Sequence, residues 1–431
     1  MPHKKDIPIQ NVLSVISKQS GFTKHFMHDA PSRQHYNPEV DALFATLIAY
    51  GCNVGISRMA RITKGQSQAI LENIARQYMH IDNIKRANDS IIEKIDEIAR
   101  HFVLSDLCHT SSDGQKYNID GCSLNANTSY KYHGTKQGVS SYIFLDNRFA
   151  HFYATTISSS EREAYYVPDG VMSDHIIKSD IHSTDTHGAT EVVFGLMHMM
   201  GITFAPRLKN LSNQTLYGVK STRVNHSDLI KPKKYINTEL IKKNWEDILR
   251  FTATIKLRYS PASQLFKRLH SYSKQHILYK ALKEFGRLHK TLFILRYMYD
   301  VDFRQIIGKQ LNRGENSNKF SKAIAFGNNQ EIMFEEKEEQ EIAENCRQLI
   351  KNAIILWNYL YLIKMLQSND QAKVQYALMT LQKGNVLAWK HVLLHGIYDL
   401  SCENNRDEFN LVNPKIGALI YSKFWESQIT T

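Results

Sequence analysis

Between residues 67 and 100, apolar residues recur at spacings of three, four and seven. Ile70, Ile74, Ile81, Ile84, Ile91, Ile95 and Ile98 form one stripe. That period puts them on one face of a helical pattern and predicts packing material. Ahead of it, Pro38-Glu39 opens another helix through Val40, Leu43, Phe44, Leu47 and Ile48, with Gly51 as the expected C′ residue. Near residue 102 the period shortens. Residues 117–119, 141–145 and 150–157 are rich in β-branched and aromatic side chains, are separated by Gly, Asn and Asp, and predict strands. A helix is expected from about Ser160, whose Ser-x-x-Glu spacing to Glu163 has the form of a capping box. Residues 178–185 predict a strand, 189–200 an amphipathic helix and 202–205 another strand. Three strands followed by helix, strand, helix and strand make a mixed α/β order. From about residue 207 to 300, and again from 314 to the end, the pattern is helical. Residues 350–362 are apolar enough to predict a buried helix.

Composition narrows the class. The chain has 431 residues, 42% hydrophobic and 22% charged. It can bury a sizeable core, global disorder is excluded, and one ordinary domain is too few. The apolar stretch 353–363 is broken by Asn358 and is too short to span a bilayer, so no membrane is expected. The start, Met1 to Asp6, lacks the apolar core of a signal peptide. Five scattered cysteines with no CxxC pair argue against a disulfide framework or a zinc knuckle, and a reducing cytoplasm is the expected setting.

Charge changes the picture more. The net charge is +12, yet residues 207–300 alone hold 20 Lys and Arg against 6 Asp and Glu. The whole basic excess lies in that segment, interleaved with Trp245, Phe251, Tyr259, Phe266, Tyr272 and Tyr279. Any single lysine there reads as solvated surface. The asymmetry of the segment reads as a footprint for a phosphate backbone. The run 335–339 reads as solvated surface.

Three acids stand in telling contexts. Asp113 lies in Ser112-Asp113-Gly114-Gln115, at the start of the first strand region. Asp185 lies in Thr184-Asp185-Thr186-His187-Gly188, at the end of a short strand. Glu315 lies in Asn312-Arg313-Gly314-Glu315, just before a helical pattern through Phe320, Ala323 and Ile324. Strand ends in a small sheet converge, and a neighbouring helix can add a third carboxylate. Clustered carboxylates repel and need cations. Mg²⁺ suits all-oxygen ligation, and two such ions can drive in-line phosphoryl displacement. Chemistry alone does not single these three out from Asp120, Asp146, Asp180, Asp300 and Asp302, and an Asp before Gly is more often a turn residue. Weaker candidates include His391 and His395, spaced i,i+4 without a third ligand, and Cys108-His109 with Cys122, a poor zinc pattern. His187 could contact phosphate or only close a turn. There is no GxxxxGK[ST] loop and no GxSxG elbow.

Several segments, taken in order, resemble the catalytic part of the Tn-three family of replicative transposases. They are Ala49-Tyr50-Gly51-Cys52-Asn53-Val54-Gly55 within 47–60, Ser112-Asp113-Gly114-Gln115, Thr184-Asp185-Thr186-His187-Gly188 and Asn312-Arg313-Gly314-Glu315 with Lys322-Ala323-Ile324. Asn352-Ala353-Ile354-Ile355-Leu356-Trp357-Asn358 and Ala388-Trp389-Lys390-His391-Val392 complete the set. The resemblance runs from about residue 21 to 400. It implies an RNase H-like mixed sheet with a helical insertion, flanked by helical scaffold. It makes Asp113, Asp185 and Glu315 the acidic triad and metal ligands, holding two Mg²⁺ ions or Mn²⁺. The parts expected are a scaffold at 1–101, a catalytic core at 102–206, a basic helical insertion at 207–300, the Glu-bearing helix at 301–330 and a C-terminal scaffold at 331–431. The implied partners are the transposon's inverted-repeat ends and target DNA, with a homodimer for the full-length protein. The implied chemistry is end cleavage and transfer of the 3′-hydroxyl. Lys233, Lys234, Lys242 and Lys243 in the insertion, and Lys319 and Lys322 on the Glu315 helix, are the expected DNA contacts. Full-length members carry N-terminal end-recognition domains, so the chain reads as truncated or split. A non-catalytic remnant that binds DNA is the alternative, and a stand-alone nuclease a third reading.

Overall fold

The isoleucine stripe of residues 67–100 forms two helices rather than one. A computed structural model describes residues 6–102, 107–173, 176–220, 232, 234–271 and 276–400. Its elements include α1 (Val40–Gly51), α2 (Gln68–Tyr78), α3 (Ile81–Ala99), β1 (His109–Asn118), β2 (Asn127–Thr128), β3 (Gln137–Leu145), β4 (His151–Ser158), β5 (Ile181–Thr184), α4 (Glu191–Met199), β6 (Thr203–Phe204), α5 (Trp245–Lys256), α6 (Ala262–His270), α7 (Ile277–Tyr299), α8 (Val301–Ile324) and α9 (Lys337–Leu366). The mixed α/β class predicted by the patterning is the class observed. The break between α2 and α3 has a local cause. The Asn83 side-chain amide donates to the Tyr78 carbonyl at 2.9 Å and to the Met27 carbonyl at 2.7 Å, using up the helix end.

The chain divides into two compact units. One comprises Met1–Asp106, Gln115–Ser160 and Asn316–Thr431, the other Leu107–Gly114 and Glu161–Glu315. The strand β1 and the helix α8 each contribute residues to both.

The first unit is organised by α9, against which α1 and α3 pack. This helix is long and apolar enough to cross a membrane, but 89% of its apolar window is buried within the protein. It is a core helix, as the apolar run at 350–362 predicts. Gly51 ends α1 without acting as the expected left-handed stop. A Cβ there would stand 2.6 Å from Ile350 Cδ1 and 3.1 Å from the Arg347 amide nitrogen, so close helix approach explains the glycine. The buried Arg347 donates to the Gly51 carbonyl at 3.2 Å and pairs with the buried Glu344. In the sheet of this unit, β3 and β4 form an antiparallel hairpin, and β2 pairs antiparallel with the start of β3.

In the second unit, the first half of β1 pairs in parallel with β5, and β5 in parallel with β6. The helix α4 packs against α7, with Gly195 and Gly286 at the crossing. Helices α5 and α6 join through Phe251 and Phe266, whose ring centroids are 5.5 Å apart.

Two expectations need correction. Ser160 caps no helix; its hydroxyl pairs with that of Ser158, and residues Glu163–Tyr166 form a 3₁₀ turn ahead of the short helix Val167–Ser173. His391 and His395 share no helix face, because the described chain beyond residue 382 is not helical. Each packs on an aromatic ring instead, His391 on Trp357 and His395 on Phe326.

Candidate active site

Ser112 and Thr184 are Cα partners where β1 and β5 run in parallel. The residues that follow them are Asp113 and Asp185, so the two carboxylates leave neighbouring strands at one level. Side chains alternate faces along a strand. Asp113 therefore shares a face with His109 and Ser111, and Asp185 directly follows the end of β5. Each aspartate is also held locally. Asp113 Oδ1 accepts from the Gly114 amide at 2.9 Å, and Asp185 Oδ1 accepts from the Gly188 amide at 3.1 Å.

The strands beneath are lined with buried Ser, Thr and His where aliphatic residues are usual. His182 bridges the Thr110 and Ser112 hydroxyls at 2.8 and 3.0 Å on one face, and His109 meets Ser183 at 2.8 Å on the other. Burial keeps both rings neutral. The pKa of His182 falls to about 3 through burial and the neighbouring His109. That of His109 falls to about 4 through burial and the Arg313 guanidinium. Directional hydrogen bonds thus pin the strand ends that carry the aspartates.

Helix α8 lies on the Asp113 face, because Gln310 Nε2 donates to Ser111 Oγ at 3.1 Å. Further along, Gln115 Nε2 donates to the Asn318 carbonyl at 3.1 Å, so strand and helix run the same way. At a rise of about 1.5 Å per helical residue, Glu315 lies about 7.5 Å beyond Gln310. At about 3.3 Å per strand residue, Asp113 lies about 6.6 Å beyond Ser111. The Gln310–Ser111 bond thus ties the helix that carries Glu315 to the strand that carries Asp113. Glu315 sits inside α8, so the helix begins ahead of it and continues through Gly314 into the pattern of Phe320, Ala323 and Ile324.

Arg207 completes the arrangement. Its amide donates to the Thr184 carbonyl at 3.0 Å, its carbonyl accepts from Thr186 Oγ1 at 3.2 Å, and its guanidinium reaches Glu315 Oε1 at 3.3 Å. Sequence reading missed Arg207. The available signal was its place, directly after the last strand and Pro206. Among the described residues, no three His, Cys, Asp or Glu side chains already form a metal cage. The donors nevertheless suit a hard divalent cation, being carboxylate oxygens with a cationic side chain already at Glu315.

The expected DNA contacts fall in several places. Lys319 and Lys322 are exposed on α8, four and seven residues beyond Glu315. Lys234, Lys242 and Lys243 are exposed in the insertion, where Lys242 pairs with Glu239 at 3.1 Å. Lys233 and the side chain of His187 lie outside the described residues.

Residues 11–398 match the model of the Tn3 transposase DDE domain. The chain belongs to that family. It is 32% identical over 399 residues to the transposase for transposon Tn1546 of Enterococcus faecium, covering 92% of this chain and 40% of that protein. It is 30% identical over 403 residues to the transposase for transposon Tn2501 of Escherichia coli, again 92% and 40%. The transposase for transposon gamma-delta of Escherichia coli (strain K12) is 27% identical over 361 residues, 83% of this chain and 36% of that one. This Tn3-family chain thus spans about two-fifths of the length of these relatives. Its mixed sheet with surrounding helices is consistent with an RNase H-like DDE domain.

Proposed function

We propose that this chain carries the chemistry of DNA transposition: cleavage of a phosphodiester at a transposon end, then transfer of the exposed 3′-hydroxyl into target DNA. The observation that supports the reading is the register of Ser112 with Thr184, the residues just before Asp113 and Asp185, together with the Gln310–Ser111 bond that ties the helix bearing Glu315 to the strand bearing Asp113. DDE domains depend on divalent metal, and Asp113, Asp185 and Glu315 are the residues that would hold it. When bound, two such ions supply activation of the attacking oxygen and stabilisation of the leaving one. The neutral histidine layer fixes where the aspartates point, and α8 sets where Glu315 stands. DNA is the partner in this reading. The exposed lysines of the insertion, together with Lys319 and Lys322, form its electrostatic footing, because each neutralised phosphate releases counterions.

The test is strand transfer with pre-cut ends bearing a free 3′-hydroxyl, in Mg²⁺ and in Mn²⁺. Wild type is expected to join ends weakly, and Glu315→Gln, which removes only the charge, not at all. If wild type is inert even when the remaining domains of a relative are fused to it, a DNA-binding remnant is the correct reading.

A further inference from the structure

We propose that Arg207 is a positioning residue that stands in for a cation, holding Glu315 beside the strand ends and competing with divalent ions for its carboxylate. The inference rests on the reading of Glu315 as the third ligand. Both backbone groups of Arg207 are tied to residues flanking Asp185: its amide to Thr184 at 3.0 Å and its carbonyl to Thr186 at 3.2 Å. Its Cα is therefore fixed by the same turn that presents Asp185, and the side chain spans from that turn to α8. The contact with Glu315 is a single one at 3.3 Å, with side-chain exposures of 37% and 52%. A pair so open to water and not bidentate adds little stability. It is poorly made as a staple and well made for release.

The charges explain why a cation belongs there. Asp113 and Asp185 follow paired residues on adjacent strands, Glu315 is the third acid of the proposed site, and acceptor-only carboxylates repel one another. A guanidinium keeps its proton at every accessible pH, so it offsets that repulsion whenever metal is absent. A divalent ion taking Glu315 has to displace it. Arg207 thus makes metal loading a replacement of one cation by another, and it should weaken metal binding while keeping the empty site ordered.

Binding of Mn²⁺ to the 431-residue chain, without DNA, tests this through the electron paramagnetic resonance of the free ion. Arg207→Gln is expected to bind Mn²⁺ three- to tenfold more tightly than wild type, while Arg207→Lys, which keeps the charge, stays within about twofold. A merely structural arginine would give weaker binding in Arg207→Gln, and equal or weaker binding overturns the proposal. Arg207→Met, which keeps the apolar stem, carries the same comparison if Arg207→Gln fails to fold by its melting curve. Asp113→Asn and Glu315→Gln run in parallel separate the two inferences. If they weaken Mn²⁺ binding while neither Arg207→Gln nor Arg207→Met tightens it, only the role of Arg207 falls. If they leave binding unchanged, the site itself is misassigned.

Discussion

Ser112 and Thr184 face each other across two parallel strands, and the next residue on each is an aspartate. Two carboxylates at matched height carry a cost that function has to justify, because like charges at close range disfavour ionisation of both. Asp113→Asn and Asp185→Asn should each abolish end cleavage and strand transfer, by about a hundredfold or more if both ligands are needed for two-metal chemistry. Neither should lower the melting temperature, and a small rise is expected from relieved repulsion. Parallel activity and melting measurements check this. Loss of activity accompanied by a large fall in melting temperature would mean that the aspartates hold the fold together.

DNA binding should depend on the insertion through salt. For duplex DNA, every phosphate that the protein ceases to neutralise lowers the slope of log affinity against log salt by about 0.9. Charge reversal at Lys234 and Lys243 should each flatten the slope. Lys242→Glu should do so less, because Glu239 already sits 3.1 Å from that ammonium. Lys233→Glu completes the series. Filter binding at several salt concentrations reads the slopes. Unchanged slopes would make this segment scaffold despite its surplus of basic residues.

The sequence marked the candidate acids more clearly than their setting. Asp113 and Asp185 stood out through the ordered motifs that resemble the family, since local chemistry alone did not single them out from the other acids. The span of α8 was less legible, because the helix runs from Val301 through Gly314 to Ile324 while the apolar pattern reads only through Phe320, Ala323 and Ile324. Ser160 fits a capping box by spacing, yet a local serine pair consumed its hydroxyl; such competition between polar groups leaves no periodic trace. Gly51 was legible as a glycine position, but for the wrong reason. Close approach by a helix nearly 300 residues away cannot be read locally. Arg207 escaped for the same cause, since its partner Glu315 lies 108 residues on.

Gly286 lies where α7 crosses α4. A Cβ on it would fall 1.6 Å from the Glu191 carbonyl oxygen, a backbone atom that cannot swing aside. Gly286→Ala should therefore force the two helices apart. A cost of about 2–3 kcal/mol is expected from overpacking, against the slight gain alanine usually brings to a helix. Gly308→Ala is the control, being a glycine of the next helix with nothing within 4 Å of its Cβ position. Urea unfolding should show a marked loss for the first and none for the second. Equal effects would mean that the crossing relaxes around the added methyl and carries no cost of its own.

Lys351 gives the fold a distinct pH signature. It is fully buried, and its ammonium donates to Ser317 and Ser321 on α8 at 2.9 and 2.8 Å. Burial pulls its pKa from 10.5 down to about 7, with Arg347 adding to the fall and Glu344 opposing it. Between about pH 7 and 10.5 the unfolded chain keeps a proton that the folded chain has given up, so this group makes stability rise with pH across that window. Below about pH 7 both states are charged, and the cost of burying the ammonium is felt in full. His151, bonded to Ser317 at 2.6 Å, acts in the same sense lower down. Burial, with Lys351 adding to it, holds its pKa well below 6.5, so as pH falls through 6.5 the unfolded chain gains a proton that the folded chain refuses. Lys351→Met keeps most of the volume and removes the charge. Ser317 keeps its bond to His151, and Ser321 can turn its hydroxyl to the carbonyl four residues back. Lys351→Met should thus be more stable than wild type at pH 6.5, by about 2–4 kcal/mol on the scale of about 1.4 kcal/mol per pKa unit. That advantage should shrink steadily toward pH 10. Unfolding free energies measured at pH 6.5, 8 and 9.5 decide it, and a constant difference across the three would mean that Lys351 does not titrate in the folded protein.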